Sequence, residues 1–235
     1  MKKSPIVITT ISLIRTKEEE KVVIEAVKAL SKLGVPIIIS DGGSTNRQKE
    51  AIRKLPNITL YEVKGHTNQL VNSFQKGAEI ADALFYLHTD KLDFVQKHAS
   101  NAIKYYLNCP KNTMLVIARD KPSLKAYPKY QQETEKFLNF MISDYIGIKA
   151  DYYYGPKIIP SKLVSYLSQL NKDIKWGIEA FFYAIHYRLS LPLDFYKVDI
   201  KPPKEILDSF AFHKYRLNLI KWQIDGLIQG QKVKL

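Results

Sequence analysis

The chain has 235 residues, with 36 Lys plus Arg against 23 Asp plus Glu, which gives a formal net charge of +13. Its 46% hydrophobic and 25% charged residues can bury a sizeable core, so a disordered chain is excluded. The single cysteine, Cys109, excludes an intrachain disulfide or a multi-thiolate zinc site, and no run approaches the roughly 20 apolar residues that span a bilayer.

The first 95 residues alternate between strand-like and helix-like patterns. We predict strands over residues 6–8, 35–39, 58–63 and 83–87, and helices over residues 17–33, 68–81 and a stretch that ends near residue 55. This alternation predicts an α/β fold with a mainly parallel sheet flanked by helices.

The second part of the chain is less regular. We predict helices over residues 93–107, 161–170 and 178–189, strands over residues 114–119 and 194–200, a linker over residues 201–204, and a polar, tyrosine-rich stretch over residues 121–154. Residues 205–229 form an amphipathic pattern whose apolar face includes Ile206, Phe210, Leu217, Ile220, Ile224 and Leu227.

The turn that follows the second strand is a candidate binding segment. Ligands of open α/β sheets bind at the carboxyl ends of strands, and Ser40-Asp41-Gly42-Gly43-Ser44 lies at such an end. Asp41 can accept hydrogen bonds from a base or ribose, and Gly42 allows close backbone approach. The alternative is an ordinary strand-to-helix turn in which Asp41 or Ser44 caps the helix.

The fourth predicted strand ends in His88-Thr89-Asp90. Residues two apart at a strand end project to the same side, so His88 and Asp90 can hold a divalent cation between two phosphates. The alternative is that this short pattern has no functional meaning.

The order of these segments resembles the nucleotide-sugar glycosyltransferases of the GT-A fold, family 2-like. The segment Thr9-Thr10-Ile11 and the acidic run Glu18-Glu19-Glu20 match the family's nucleotide-contacting region, and residues 40–45 match its Asp-Asp-Gly-Ser-Thr turn. Residues 65–77, with Asn68 and Gln69, match the helix before the metal strand, and residues 88–90 match the Asp-x-Asp motif. Ser40 and His88 each stand where the family has Asp.

The C-terminal half is similar to the glucosylglycerate- and mannosylglycerate-type synthases of this fold. Trp176-Gly177-Ile178-Glu179 matches a helix start on their acceptor side, and His213 stands where a histidine completes their metal site. The alternatives are a helix-start carboxylate favoured by the dipole for Glu179 and a polar helix residue for His213.

The resemblance implies a single GT-A-like domain over residues 1–235. Residues 1–95 would bind the nucleotide-sugar, residues 96–200 would form the acceptor side, and residues 201–235 would form a helical extension. The implied donor contacts are Thr9, Thr10, Ile11, Asp41, Gly42, Ser44, Asn68, Gln69 and His88.

The resemblance also implies a chemistry. Mg²⁺ or Mn²⁺ held by Asp90, His88 and His213 would act on the leaving diphosphate, and Glu179 would serve as base or substrate contact. Arg119 and Lys121 are further phosphate candidates. The tyrosines of residues 152–154 are candidates for sugar contact, and the alternative is that they pack beneath a loop.

Two other functions stay open. One is a nucleotidyltransferase that makes nucleotide-sugars, although residues 9–17 lack a Gly-rich loop. The other is a noncatalytic basic domain that binds nucleic acid or a membrane surface. We expect a nucleoside diphosphate-sugar donor with a small or lipid-phosphate acceptor, no nucleic acid, and a cytoplasmic protein for which peripheral membrane contact stays open.

Overall fold

The computed structural model describes residues 3–170, 173–200, 202 and 209–235. The chain divides into two compact units, one of residues 1–115 and 156–167 and the other of residues 116–155 and 168–235. The strands are β1 (Val7–Ser12), β2 (Ile37–Asp41), β3 (Ile58–Glu62), β4 (Ala83–Tyr86), β5 (Met114–Arg119), β6 (Lys157–Pro160) and β7 (Leu193–Val198). The helices are α1 (Lys17–Ser31), α2 (Asn46–Arg53), α3 (His66–Ile80), α4 (Leu92–Lys97), α5 (Ala99–Leu107), α6 (Lys121–Lys125), α7 (Lys129–Ile146), α8 (Ile178–Arg188) and α9 (Phe210–Lys232).

The sheet of the first unit has the strand order β3-β2-β1-β4-β6. The pairings of β1 with β2, of β1 with β4 and of β2 with β3 are parallel, whereas β4 and β6 are antiparallel. The first, second and fourth strands are almost wholly buried, as expected for a sheet that helices cover on both faces. The predicted α/β class with a mainly parallel sheet is therefore confirmed.

Local signals in the sequence explain where the helices of this unit begin. Helix α1 starts with a capping box, in which Thr16 accepts from the Glu19 amide and Glu19 accepts from the Thr16 amide. Helix α3 lies close to the sheet at Gly77, where a Cβ atom would come within 2.7 Å of the Thr9 methyl and 2.8 Å of Leu84. That close approach sets the depth of α3 over β1 and β4.

The second unit contains residues 116–119 of β5, the neighbouring strand β7 and the helices α6 to α9. Helices α8 and α9 meet through glycines: a Cβ atom on Gly226 would lie 1.8 Å from the Gly177 carbonyl oxygen. The predicted C-terminal helix is confirmed, and Leu217 and Ile224 of its predicted apolar face are exposed. The buried residues of α9 are Arg216, Leu219, Gln223, Gly226, Gln229 and Gly230.

Several predicted elements differ from those observed. The predicted helix over residues 161–170 is a 3₁₀ helix (Ser161–Gln169), the one over residues 93–107 is two helices, and the tyrosine-rich stretch contains α6 and α7. Apart from Pro202, the predicted linker over residues 201–204 lies outside the described residues, as do residues 205–208 of the predicted amphipathic segment and the side chain of Phe210.

Candidate functional site

The carboxyl ends of β1 and β2 are joined by the side chain of Gln69. Its amide nitrogen donates to the carbonyl oxygens of Ser12 and Ser40, at 2.9 Å each, and the Gly42 amide donates to Ser12 at 2.8 Å. A Cβ atom on Gly42 would lie 2.7 Å from the Gln69 amide oxygen. Gly42 and Gln69, both predicted donor contacts, therefore form a structural clamp in this conformation, which fixes the spacing of the two strand ends.

The Asp41 side chain organises the turn that follows β2. Its Oδ1 accepts from the amides of Gly43 and Ser44, at 3.0 and 2.8 Å, and its Oδ2 accepts from the Ser44 hydroxyl at 2.5 Å. The Ser44 hydroxyl in turn accepts from the Ile14 amide at 3.0 Å. Asp41 is 1% exposed, and Thr45 is the residue that caps α2. The Asp41 carboxylate thus orders the turn after β2, and the Ser44 hydroxyl connects that turn to the loop after β1.

The predicted donor contacts on β1 differ in exposure. Thr9 and Thr10 are fully buried, whereas Ile11 is partly exposed. Asn68 is exposed on the first turn of α3 and donates to the Lys64 carbonyl at 3.2 Å. Ser12, which the sequence analysis did not select, is 2% exposed, and its hydroxyl has no hydrogen-bond partner among the described residues. A strand-end serine in this position is a candidate donor contact.

His88 and Asp90 follow β4 at the edge where the carboxyl ends of β1, β2 and β4 lie. His88 Nε2 lies 3.1 Å from the Tyr86 hydroxyl, and burial lowers the pKa of His88 to about 3. Its imidazole is therefore neutral at pH 7, which is the form that binds a metal ion.

Asp90 differs from its neighbour because its side chain is 67% exposed. Desolvation raises the pKa of Asp90, but the positive charge of Lys91 and its hydrogen bond, together with the neighbouring His88, outweigh it, so the pKa lies below the usual carboxyl value. Lys91 Nζ lies 3.4 Å from Asp90 Oδ2. The two side chains thus offer one neutral nitrogen ligand and one ionised carboxylate.

A buried lysine lies beside this pair. Lys157 begins β6 in register with Tyr86, is 1% exposed, and places Nζ 5.9 Å from the centroid of the Tyr86 ring. Its charge contributes to the lowered pKa of His88. Lys157 could not be selected from the sequence, because its place beside Tyr86 depends on the pairing of β6 with β4, two strands that are far apart in the chain.

Two predicted site residues lie in the second unit. Glu179 is the second residue of α8 and is 6% exposed, and burial together with the charge of Glu179 raises the pKa of Tyr153 and Tyr183. His213, in the first turns of α9, stacks on Tyr130 with ring centroids 3.9 Å apart. Within the described residues, no group of three or more His, Cys, Asp or Glu side chains is placed to hold a metal ion.

The tyrosines of residues 152–154 are buried, with exposures of 0%, 8% and 5%. Tyr152 packs edge-to-face on Tyr183, whose hydroxyl donates to the Tyr152 carbonyl at 3.1 Å. Tyr153 donates to Gln223 Oε1 at 3.2 Å. These contacts correspond to the packing of tyrosines beneath a loop.

Arg119, a phosphate candidate from the sequence, is part of a buried ionic cluster. Its guanidinium donates to Asp151 at 2.8 Å and to Glu135 at 2.6 Å, and Arg216 lies 3.0 Å from the other Glu135 oxygen. The rings of Tyr127 and Tyr154 lie 4.8 and 5.5 Å from the Arg119 guanidinium carbon. Two arginines and two carboxylates balance each other here, so Arg119 acts as a structural residue in this conformation.

Two carboxylates of the acidic run at the start of α1 form hydrogen bonds with residues of the protein. Glu19 belongs to the capping box, and Glu20 accepts from Arg47 at 2.6 Å and from Gln48 at 2.9 Å. The hydrogen bonds from Gln48 and Arg47 hold the pKa of Glu20 below its ordinary value. Glu20 therefore joins α1 to α2, whereas Glu19 acts within the start of α1.

Comparison with known proteins was informative for structures alone: no family model matches the chain, and no curated protein matches it by sequence. Mannosyl-3-phosphoglycerate synthase from Rubrobacter xylanophilus is similar, with a TM-score of 0.66 and 11% identity over 98% of this chain and 76% of that one. Glucosyl-3-phosphoglycerate synthase from Mycobacterium tuberculosis, in complex with Mn²⁺, UDP-glucose and phosphoglyceric acid, has a TM-score of 0.64 and 13% identity over 95% of this chain and 79% of that one. The chain has the GT-A fold.

Enzymes of more than one kind share the GT-A fold. CMP:2-keto-3-deoxy-manno-octonic acid synthetase, complexed with CTP, is also similar, with a TM-score of 0.55 and 13% identity over 93% of this chain and 99% of that one. The predicted likeness to nucleotide-sugar enzymes is confirmed as a likeness of GT-A fold. The predicted site residues stay predictions, and their functional roles are proposals.

Proposed function

We propose that this chain is a glycosyltransferase that transfers a sugar from a nucleoside diphosphate-sugar with the help of a divalent metal ion. The observation that carries the proposal is the His88 and Asp90 pair, which follows β4 at the carboxyl edge of a GT-A sheet. Similar structures of this fold hold Mn²⁺ and UDP-glucose, and ligands of open α/β sheets bind at this edge.

The Asp90 carboxylate fits a hard divalent cation, and the His88 imidazole adds a nitrogen ligand that is softer than oxygen. Mg²⁺ and Mn²⁺ sites in nucleotide enzymes use one or two protein ligands and complete their shell with water and substrate phosphates. The ionised Asp90 and the neutral His88 supply two such ligands. When bound, the metal would neutralise the charge that develops on the leaving diphosphate.

The protein's own groups would position the donor around that charge. The Gln69 clamp fixes the ends of β1 and β2. We propose that the backbone of Ile11 and Ser12, held in place in this way, contacts the nucleoside. The buried Ser12 hydroxyl has no hydrogen-bond partner among the described residues, and we propose that it bonds the base or ribose when the donor is bound. For Glu179 and His213 we keep the roles that the sequence predicts, of acceptor-side carboxylate and of metal ligand.

We propose an acidic acceptor, either a small phosphorylated molecule or a lipid phosphate, because the net charge of +13 favours anions.

A thermal-shift panel tests the proposal. UDP-glucose, GDP-mannose and CTP would each be added with and without Mn²⁺, and we expect metal-dependent stabilisation by a nucleotide-sugar, about 2.7 kcal/mol at one hundred times its Kd. Asp90→Asn should abolish that stabilisation. Asp93→Asn is the matched control, because Asp93 lies on the following helix and pairs with Lys97. Equal responses of both variants, or no response of the wild-type protein, would reject the metal and donor assignment.

The nucleotidyltransferase alternative is supported by the similarity to the CTP-bound synthetase. The two functions release different products, which can be measured in activity assays with the same nucleotides. A nucleotidyltransferase releases pyrophosphate from CTP in the presence of an acidic sugar, whereas a glycosyltransferase releases a nucleoside diphosphate from a nucleotide-sugar. Detection of pyrophosphate without transfer from any nucleotide-sugar would favour the alternative.

A further inference from the structure

Helix α9 carries apolar residues on two faces, and the neighbouring helix uses one of them. The inner face packs on α8, where Gly226 meets the Gly177 backbone and Gly230 lies against Phe181 and Ala184. In each of these contacts a Cβ atom on the α9 glycine would come within 2.7 Å of its neighbour. A rotation of α9 would drive side chains into the α8 backbone, so the outer face is held outward.

The outer face carries a row of exposed apolar residues, which we call the α9 stripe. Its apolar members are Leu217, Ile224 and Ile228, which are 59%, 36% and 41% exposed. The spacings of seven and four residues keep them on one side of the helix, over a length of about 16 Å. Exposed large apolar residues scattered singly are normal, but an aligned set on one helix face marks an interaction surface.

Three lysines lie along the same side of the helix. Lys214, Lys221 and Lys232 are exposed, and none forms an ion pair with a residue that the structure describes. At 100° per residue they project within about 60° of Leu217, whereas the nearest carboxylate of the helix, Asp225, lies at the flank and is half-buried. The α9 stripe is therefore both apolar and cationic.

We propose that the α9 stripe docks this protein on an anionic lipid surface. A helix with apolar residues flanked by lysines lies in the plane of the headgroups, with its apolar side chains inserted and its ammonium groups near the phosphates. No described helix is long and apolar enough to cross a membrane, so the contact is peripheral. The net charge of +13 adds long-range attraction toward such a surface.

Two other occupants fit the α9 stripe less well. A second copy of the chain, packed stripe to stripe about a two-fold axis, would bring the central Lys221 near its own counterpart, which is repulsive. A nucleic acid would use the lysines but would leave the apolar side chains without a partner. The lipid surface satisfies both kinds of side chain.

Vesicle flotation of the full chain tests this docking. Vesicles of phosphatidylcholine with 40% phosphatidylglycerol would be compared with vesicles of phosphatidylcholine alone, and we expect at least tenfold tighter binding to the anionic ones. Replacing Lys214, Lys221 and Lys232 by Gln should weaken binding about a hundredfold, since each surface lysine contributes about fivefold. Leu217→Ser with Ile224→Ser should weaken binding about tenfold or more without a change in net charge.

Matched controls distinguish the effect of the α9 stripe on vesicle binding from the effect of net charge and from the effect of exposed apolar residues elsewhere. Lys28, Lys54 and Lys104 are also exposed, and their replacement by Gln removes the same charge from the first unit. Leu107→Ser with Ile80→Ser removes exposed apolar groups there, since the two residues are 52% and 39% exposed. Neither control set should change vesicle binding by more than about threefold.

Several results would overturn the proposal. They are failure of the wild-type protein to bind anionic vesicles, an equal loss in the control lysine variant, or stripe substitutions that shift a monomer–dimer equilibrium and leave vesicle binding unchanged. The lysine variant keeps every apolar contact, so its thermal unfolding should match the wild type, and it tests docking even if the serine variant folds poorly. The proposal does not depend on glycosyltransferase activity, because vesicle binding is measured without donor or acceptor.

Discussion

The buried ionic cluster around Arg119 allows a quantitative test of how the second unit is stabilised. We consider Arg119→Met, which keeps an unbranched, mainly apolar stem and removes the guanidinium charge. The substitution takes from Asp151 both guanidinium hydrogen bonds and takes from Glu135 one of its two arginine partners. Asp151 would retain the Asn139 amide at 3.0 Å.

The expected loss of stability is large because the carboxylates stay buried. Glu135 and Asp151 side chains are 4% and 3% exposed, so water cannot replace the missing cation. Removal of one partner from a buried ion pair costs about 3–5 kcal/mol, and we expect about 4 kcal/mol here. For a chain of this length, that corresponds to a fall in Tm of about 8–16 °C.

Urea unfolding followed by circular dichroism measures this loss. Helix α7, which carries Glu135, also provides the control. Lys129 pairs with Glu133 on α7 at 2.8 Å, with side chains that are 81% and 52% exposed. Lys129→Met should change the free energy of unfolding by no more than about 0.5 kcal/mol, as for other exposed pairs on helices.

The dependence on pH gives a second, independent check. Burial raises the pKa of Asp151, but Arg119 outweighs it, so in the wild-type protein the pKa lies below the ordinary value. The stability from this pair is therefore present at neutral pH and is lost as the pH falls below the ordinary carboxyl pKa. In Arg119→Met, Asp151 keeps its hydrogen bonds from the Asn139 amide and from the backbone amide of residue 119 but loses the guanidinium, which opposes burial most strongly. We therefore expect the Asp151 pKa to rise, so that the folded variant binds a proton more readily than the unfolded chain. The difference in the free energy of unfolding between the variant and the wild type should then become smaller as the pH falls from 7 to 5. A loss no larger than that of Lys129→Met, or a difference that is constant with pH, would refute this reasoning.

Three further substitutions test the contacts that shape the two units. Gly42→Ala places a methyl group on the hydrogen-bonded Gln69 amide and should cost about 1–3 kcal/mol in urea unfolding, a penalty that should nearly disappear in a Gln69→Ala background. Ser44→Ala removes a hydroxyl that both accepts and donates a buried hydrogen bond, and should lower the free energy of unfolding by about 1–3 kcal/mol, whereas a loss below 0.3 kcal/mol would contradict its role. Gly226→Ala brings a methyl group against the Gly177 backbone and should lower the Tm by several degrees, and an unchanged Tm would contradict the close helix approach.

Local patterns in the sequence determined much of the first unit. Strand and helix periodicities up to residue 87, and the turn at Asp41, depend on neighbours within a few residues, and the structure has each of them. The capping residues Thr16 and Thr45 likewise act within one helical turn. The strand-end position of His88 and Asp90 could be predicted for the same reason.

Contacts between distant residues could not be predicted in this way. The pairing of β6 with β4, the burial of Lys157 beside Tyr86 and the joining of strand ends by Gln69 each link residues more than 25 positions apart. The sequence shows Arg119 as a free cation after a strand, because its carboxylate partners are 16 and 32 residues away.

The net charge of +13 and the existence of the last helix were determined by the sequence itself. Only the tertiary structure decided which face of that helix is buried. The apolar residues of α9 occur on two sides, so periodicity does not select between them, whereas close packing of Gly226 and Gly230 on α8 does. Backbones can approach this closely only where no side chain intervenes, and for that reason Leu217 and its neighbours on the α9 stripe face outward.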